Sequence, residues 1–138
     1  MQKAQGVSVT RADLCAPAAV LAAPGVREVI DPAELACVIA AMVLHFMPPD
    51  EAAGVAAGYM RRLAPGSVLV VTAGRNEDPD RWEQVRAEWE AVTAIPLYNF
   101  SRAEFAALFA DLEFIAAPGP VAGPRGAVYG LGGTGRKT

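Results

Sequence analysis

The sequence predicts an α/β fold: a parallel βαβ unit in mid-chain, flanking helices, and an antiparallel hairpin near the carboxyl end. Three observations carry this. Leu35 to Val43 (LACVIAAMV) is an apolar run without charge, Gly or Pro, too short for a bilayer and rich enough in Val and Ile to be a strand buried on both faces. Val68 to Val71 is a second apolar run. Between them, Pro48-Pro49 opens an Ala-rich segment that Arg61 and Arg62 close, and Pro65-Gly66 turns the chain, which reads as a crossover helix between parallel strands. Sheets of this kind carry ligands at the carboxyl ends of their strands, and His45 falls at that end.

Taken in order, Gly6 to Ala12 is rich in β-branched residues and reads as a strand that meets Asp13. Pro17 suits the first turn of a short helix, and Pro24-Gly25 interrupts it before a second small apolar face at Val26, Val29 and Ile30. In the crossover helix, Asp50 and Glu51 begin and Arg61 and Arg62 end the element, as the helix dipole favours. Its inward stripe is Ala52, Val55, Ala56, Tyr59 and Leu63, and Gly54 and Gly58 suggest close packing on the sheet. Asp78 then caps a helix with Pro79 at its first position, and Pro96 ends it. Trp82, Val85, Trp89 and Val92 repeat along that helix at helical spacing, either as plain packing or as the floor of a substrate pocket. Ser101 with Glu104 forms a capping box, opening a helix that buries Phe105, Leu108 and Phe109. Phe114 to Ala116 reads as a brief strand, Pro118 to Gly126 as a loop, and Ala127 to Tyr129 as the antiparallel partner.

Composition narrows the function. The 138 residues suit one domain, 1–138, with a real core but short for a complete doubly wound nucleotide-binding fold. Hydrophobic residues make up 53% and charged ones 20%, with no apolar segment of membrane-spanning length. A net charge of −3 with scattered Lys and Arg offers no basic stripe for nucleic acid, which leaves small molecules as partners. Cys15 and Cys37 do not form a disulfide framework, no secretory signal follows Met1, and one histidine with two separated cysteines makes no zinc spacing. A cytoplasmic protein without metal is expected.

The tail GLGGTGRKT satisfies G-x-G-x-x-G through Gly130, Gly132 and Gly135 and approaches a phosphate loop through Lys137 and Thr138. Its context excludes both, because a phosphate cradle needs a following helix and Arg136 stands where Lys is required. His45 is the one side chain whose ordinary pKa lies near neutrality, so it is either a general base at the ligand end of the sheet or a packed strand-end residue. Asp13 either bonds a ligand or caps the helix that follows.

The segments ADLCAPAAVLAAPGVREVIDP, LACVIAAMVLHFMPPDEA, RRLAPGSVLVVT, SRAEFAALFADLEFI and YGLGGTGRK resemble the actinobacterial S-adenosylmethionine-dependent methyltransferase family once known only as a domain of unknown function. The resemblance covers almost the whole chain. It implies a partial class I methyltransferase (Rossmann-like) sheet, mostly parallel with a C-terminal antiparallel hairpin and lacking the first two strands. It implies S-adenosylmethionine as cofactor and a small-molecule methyl acceptor. By the same resemblance Asp13 and Leu14 lie beside the adenine, and Ala41, Met42 and Val43 pass under the methionine part. His45, in a VLH pattern similar to that of small-molecule O-methyltransferases, deprotonates the acceptor hydroxyl.

In that family the first strand, its Gly-rich cofactor loop and the acid after the second strand precede the part matched here, so the chain is expected to begin at the third strand. The Leu35 to Val43 strand is then a bare edge, a site for pairing with another chain. A partner chain completing the sheet, a second copy pairing edge to edge, or the Gly6 segment moving in would cover it. The alternative to an enzyme is a non-catalytic dimerising or partner-binding α/β module that has lost the cofactor site.

Overall fold

The computed structural model describes residues 6–122 and 128–138. Strand β1 (Cys37–Ala41) runs parallel to β2 (Val68–Gly74), in register from Cys37 opposite Val68 to Ala41 opposite Thr72. Helix α3 (Pro49–Arg61) makes the crossover between them, so the βαβ unit is present. Two short helices, α1 (Pro17–Ala22) and α2 (Pro24–Arg27), precede it, and α4 (Pro79–Thr93) and α5 (Arg102–Ala107) follow it. The sheet closes with β3 (Leu112–Ala122) and β4 (Val128–Lys137), in the order β1-β2-β4-β3. Only β1-β2 is parallel; β2-β4 and β4-β3 are antiparallel.

The hairpin is much longer than its sequence suggests. Phe114 to Ala116 lies inside an eleven-residue strand, and the first part of the expected loop, Pro118 to Val121, is strand as well. Residues 123–127, which include the rest of that loop and Ala127, fall outside the described residues. The glycine tail is β4 itself, the strand between β2 and β3. Small residues are required there by what lies above them: a Cβ on Gly133 would stand 2.9 Å from the Phe109 ring, and one on Gly135 would stand 3.0 Å from it. The glycines make room for an aromatic side chain, not for a phosphate.

Gly6 to Ala12 is not a strand. The described part of this segment is irregular, with Val9 98% exposed, and Ser8 donates its hydroxyl to the Gly25 carbonyl instead of entering a ladder. β-Branched residues favour a strand only where a neighbouring strand exists to pack against, and β1 pairs on one side only among the described residues. Nor is β1 buried on both faces. Val38 and Ala40 are half-buried against the core, while Cys37, Ile39 and Ala41 are exposed, Ile39 at 68%.

The core lies between the sheet and α3 and α5, where Phe100, Phe105, Phe109, Leu69 and Val71 are closed from solvent. α3 contributes Ala52, Val55, Ala56 and Met60, with Leu63 just beyond its end. Tyr59 is only half-buried and donates its hydroxyl to the Leu14 carbonyl at 2.9 Å. Gly58 packs closely, but on Pro17 of α1 rather than on the sheet, and Gly54 faces open space. The two caps form as their residues dictate: Asp78 accepts from the Asp80 and Arg81 amides, and Ser101 and Glu104 complete a capping box. α4 ends at Thr93, ahead of Pro96, because Ala94 turns left-handed with φ 55°. No residue of α4 is fully buried, and a space lined by Trp82, Val85 and Trp89 separates it from Gly74 at the end of β2.

Candidate functional site

That space is the site. β1 and β2 end side by side at Ala41 and Gly74, the carboxyl ends of the parallel pair, where sheets of this kind hold ligands. Just past β1, Met42 takes a left-handed conformation with φ 53°, uncommon for a side chain other than Gly, Asn or Asp. Its amide donates to the Thr72 carbonyl at 2.9 Å and approaches the Thr72 hydroxyl at 3.2 Å, which fixes the bend. The chain drops into a single 3-10 turn, Leu44–Phe46, that carries His45 beneath the end of β2.

His45 is 3% exposed, and its Nδ1 accepts the Gly74 amide at 2.8 Å. An amide can only donate, so Nδ1 must be unprotonated and the neutral ring carries its proton on Nε2. Burial pushes the His45 pKa below its ordinary 6.5, and protonating Nδ1 would set two donors face to face. The ring therefore presents an Nε2–H donor, for which the described residues supply no partner. In this arrangement His45 has no free lone pair for the base role that the resemblance implies. The Gly74 amide occupies one nitrogen and the proton occupies the other.

A cavity of about 570 Å³ opens beside this imidazole, lined by Met42, Gly74, Arg75, Trp82, Trp89 and Leu97 among others. Phe46 stands edge-on to His45 at 4.5 Å and stacks on Trp89 at 5.3 Å with 12° between the ring planes. Both tryptophans of the α4 stripe thus line a pocket. The segment after α4 is stitched to both strand ends: the Tyr98 amide donates to the His45 carbonyl at 2.9 Å, and Asn76 and Asn99 bond reciprocally at 3.2 and 2.8 Å. Arg75 donates to the Phe100 carbonyl and lies 3.8 Å from Glu77, whose carboxylate binds Arg102 more closely at 3.0 Å. Arg102, and then Arg75, hold the Glu77 carboxyl below the usual range.

The residues singled out in the sequence separate into two groups. Met42 and His45 line this aromatic cavity, whereas Leu14 and Val43 line another, apolar one of about 300 Å³ between β1 and α3, with Val38, Val55 and Tyr59. Ala41 ends β1 and is exposed. Asp13 uses one carboxylate oxygen to accept the Cys15 amide at 2.9 Å and its carbonyl to accept the Ala16 amide at 3.0 Å, a local turn ahead of α1. Sequence reasoning missed Gly74, Arg75 and Leu97. For Arg75 a signal existed, because it is the first residue past the carboxyl end of a parallel strand.

A mixed four-stranded sheet with one parallel crossover, a cavity at its strand ends and an antiparallel hairpin beyond it is a partial class I methyltransferase (Rossmann-like) fold. Comparison with known proteins agrees. The family described as S-adenosyl methyltransferase matches residues 1–126, and the chain belongs to it. A DUF574 family protein from Streptomyces avermitilis is similar at 26% identity and TM-score 0.79, over 92% of this chain and 53% of that one. A candidate methyltransferase from Thermobifida fusca is also 26% identical, with TM-score 0.75, over 92% of this chain and 52% of that one. The fold is also that of PigF with SAH, at TM-score 0.53 and 16% identity, over 74% of this chain and 33% of that one. No curated protein matches. The chain spans about half the length of the first two structures. S-Adenosylmethionine is the cofactor of the family, and among the described residues no helix is long and apolar enough to cross a membrane.

Proposed function

We propose that this chain forms the acceptor-binding half of an S-adenosylmethionine-dependent methyltransferase acting on a small molecule, with the acceptor in the aromatic cavity against His45. The observation that carries this reading is the cavity itself, about 570 Å³ at the carboxyl ends of the parallel pair, of a size for a small molecule. The cofactor, when bound, supplies a methyl group on a positively charged sulfur. The residues present fit one wall of it. Leu14 and Val43 offer an apolar surface, and the backbone bend at Met42 brings the end of β1 close to any ligand lying across it. Asp13 keeps one carboxylate oxygen outside its turn, available to a ribose or adenine group.

The catalytic demand on side chains is small, because methyl transfer depends chiefly on holding donor and acceptor together in a dry pocket. Phe46, Trp82 and Trp89 exclude water, and His45 meets the polar atom of the acceptor. Calorimetry of the purified chain with S-adenosylmethionine and S-adenosylhomocysteine tests the reading. Saturable heat at micromolar ligand is expected, and its absence at high ligand, with the chain folded, would refute cofactor binding by this chain.

One observation favours a second reading, a non-catalytic module that pairs through its sheet. Among the described residues β1 has one unpaired edge, and Ile39 in it and Leu35 just before it are exposed, which suits a second copy or a chain that carries the remaining strands. A dimer in light scattering that gives no heat with either ligand supports this alternative over the first.

A further inference from the structure

We propose that the acceptor is a flat aromatic carboxylate, gripped by the His45 Nε2–H and the Arg75 guanidinium, with the carboxylate itself as nucleophile. This rests on the methyltransferase reading above and adds to it the chemical class of the substrate.

Three features of the cavity lead there. With the Gly74 amide on Nδ1, the one other nitrogen of this cavity-lining ring carries a proton, so the ring favours an acceptor oxygen and cannot take a proton from a hydroxyl. Among the described residues that line the cavity, His45 and Arg75 are the only titratable ones, and none is an Asp, Glu, Tyr, Lys or Cys that could serve as base in place of the histidine. Among these described residues a neutral alcohol or phenol finds no base, whereas a carboxylic acid is already ionised at neutral pH. The charge balance around Arg75 agrees, since Arg75 and Arg102 share the Glu77 carboxylate in an adjoining cavity, with Arg75 the more distant partner at 3.8 Å. The stacked Phe46 and Trp89 rings with Trp82 give the ligand body flat apolar walls.

The step balances without a base. One carboxylate oxygen stays on the two donors while the other forms a bond to the methyl carbon; the carbon–sulfur bond breaks and its electron pair stays on sulfur. Anion and sulfonium become neutral ester and neutral thioether, and no proton moves. The donors hold the charged substrate more tightly than the uncharged ester, so their role is to bind and orient the acid and to let the product go.

The composition supplies the readouts: the chain has one histidine and two tryptophans, and both tryptophans line the cavity. Nitrogen-15 NMR of the full chain at neutral pH reports the His45 tautomer directly. The two indole N–H signals report binding of 2-naphthoate, of 2-naphthamide and of methyl 2-naphthoate. We expect the Nε2–H tautomer, and naphthoate binding about 10-fold more tightly than the amide or the ester, the size of one charge-assisted hydrogen bond. Arg75→Gln should remove most of that preference while leaving the amide's affinity unchanged. The Nδ1–H tautomer, or equal binding of the three compounds, overturns the carboxylate assignment and leaves the methyltransferase reading to its own calorimetric test. If no compound moves the indole signals, both this assignment and the placing of the acceptor in this cavity are wrong.

Discussion

The Gly74 amide lies 2.8 Å from Nδ1 of His45, although the two residues belong to different elements and are 29 positions apart in sequence. That one bond fixes the protonation of the imidazole at the ligand end of the sheet. Burial of the same ring makes the fold sensitive to acid. The His45 pKa is lowered by burial, so between 6.5 and the folded value the unfolded chain binds more protons than the folded one, and stability falls as pH falls through that range. The Tm should drop between about pH 7 and about pH 5, before the lowered carboxyls Glu77 and Glu83 begin to matter below their ordinary 4.5. Scanning calorimetry across that range checks this, and a flat Tm would count against a buried, amide-bonded imidazole.

Gly133→Ala should destabilise the chain by about 1–3 kcal/mol, since its Cβ would meet the Phe109 ring and the Pro118 backbone in a closed part of the sheet. Gly54→Ala is the contrasting case. It lies inside α3 with open space around it, so the substitution should stabilise by about 0.5–1 kcal/mol through helix propensity alone. Urea denaturation of the two variants beside the parent measures both signs.

Asp78→Ala removes the acceptor for the Asp80 and Arg81 amides and should cost about 1 kcal/mol. Because α4 has no fully buried residue to hold it, hydrogen exchange should rise along Trp82 to Trp89 more than in α3.

Trp89→Leu should cost about 1 kcal/mol by losing the stack on Phe46. It should also weaken binding of an aromatic ligand in the cavity by several-fold while leaving the far-ultraviolet circular dichroism unchanged. Titration of the remaining indole signal of Trp82 gives the affinity.

Local chemistry was legible in the sequence. The Asp78 cap and the Ser101–Glu104 box depend on neighbours a few residues away, and the strand–helix–strand unit shows as two apolar runs around one crossover helix, so their residue types state them outright. The aromatic stripe of α4 showed its spacing, but not whether core or cavity faced it. What could not be read is what depends on a distant partner. Gly6 to Ala12 has strand-forming residues and no strand beside it. The tail has too few side chains to show any period, and its strand exists because β2, β3 and the Phe109 ring fit around bare backbone. The His45 tautomer needed the end of β2, which no motif around the histidine reveals.

The position of β4 also governs how the chain assembles. β2 is made early, yet its second neighbour arrives only after α4, α5 and β3, with Val68 finally opposite Arg136. The β2 edge that β4 will cover therefore stays open while α4, α5 and β3 are made, a state prone to wrong pairing until translation reaches the glycine strand. Losing a few residues from that strand would do more than trim the sheet, because among the described residues β3 hydrogen-bonds to the sheet through β4 alone.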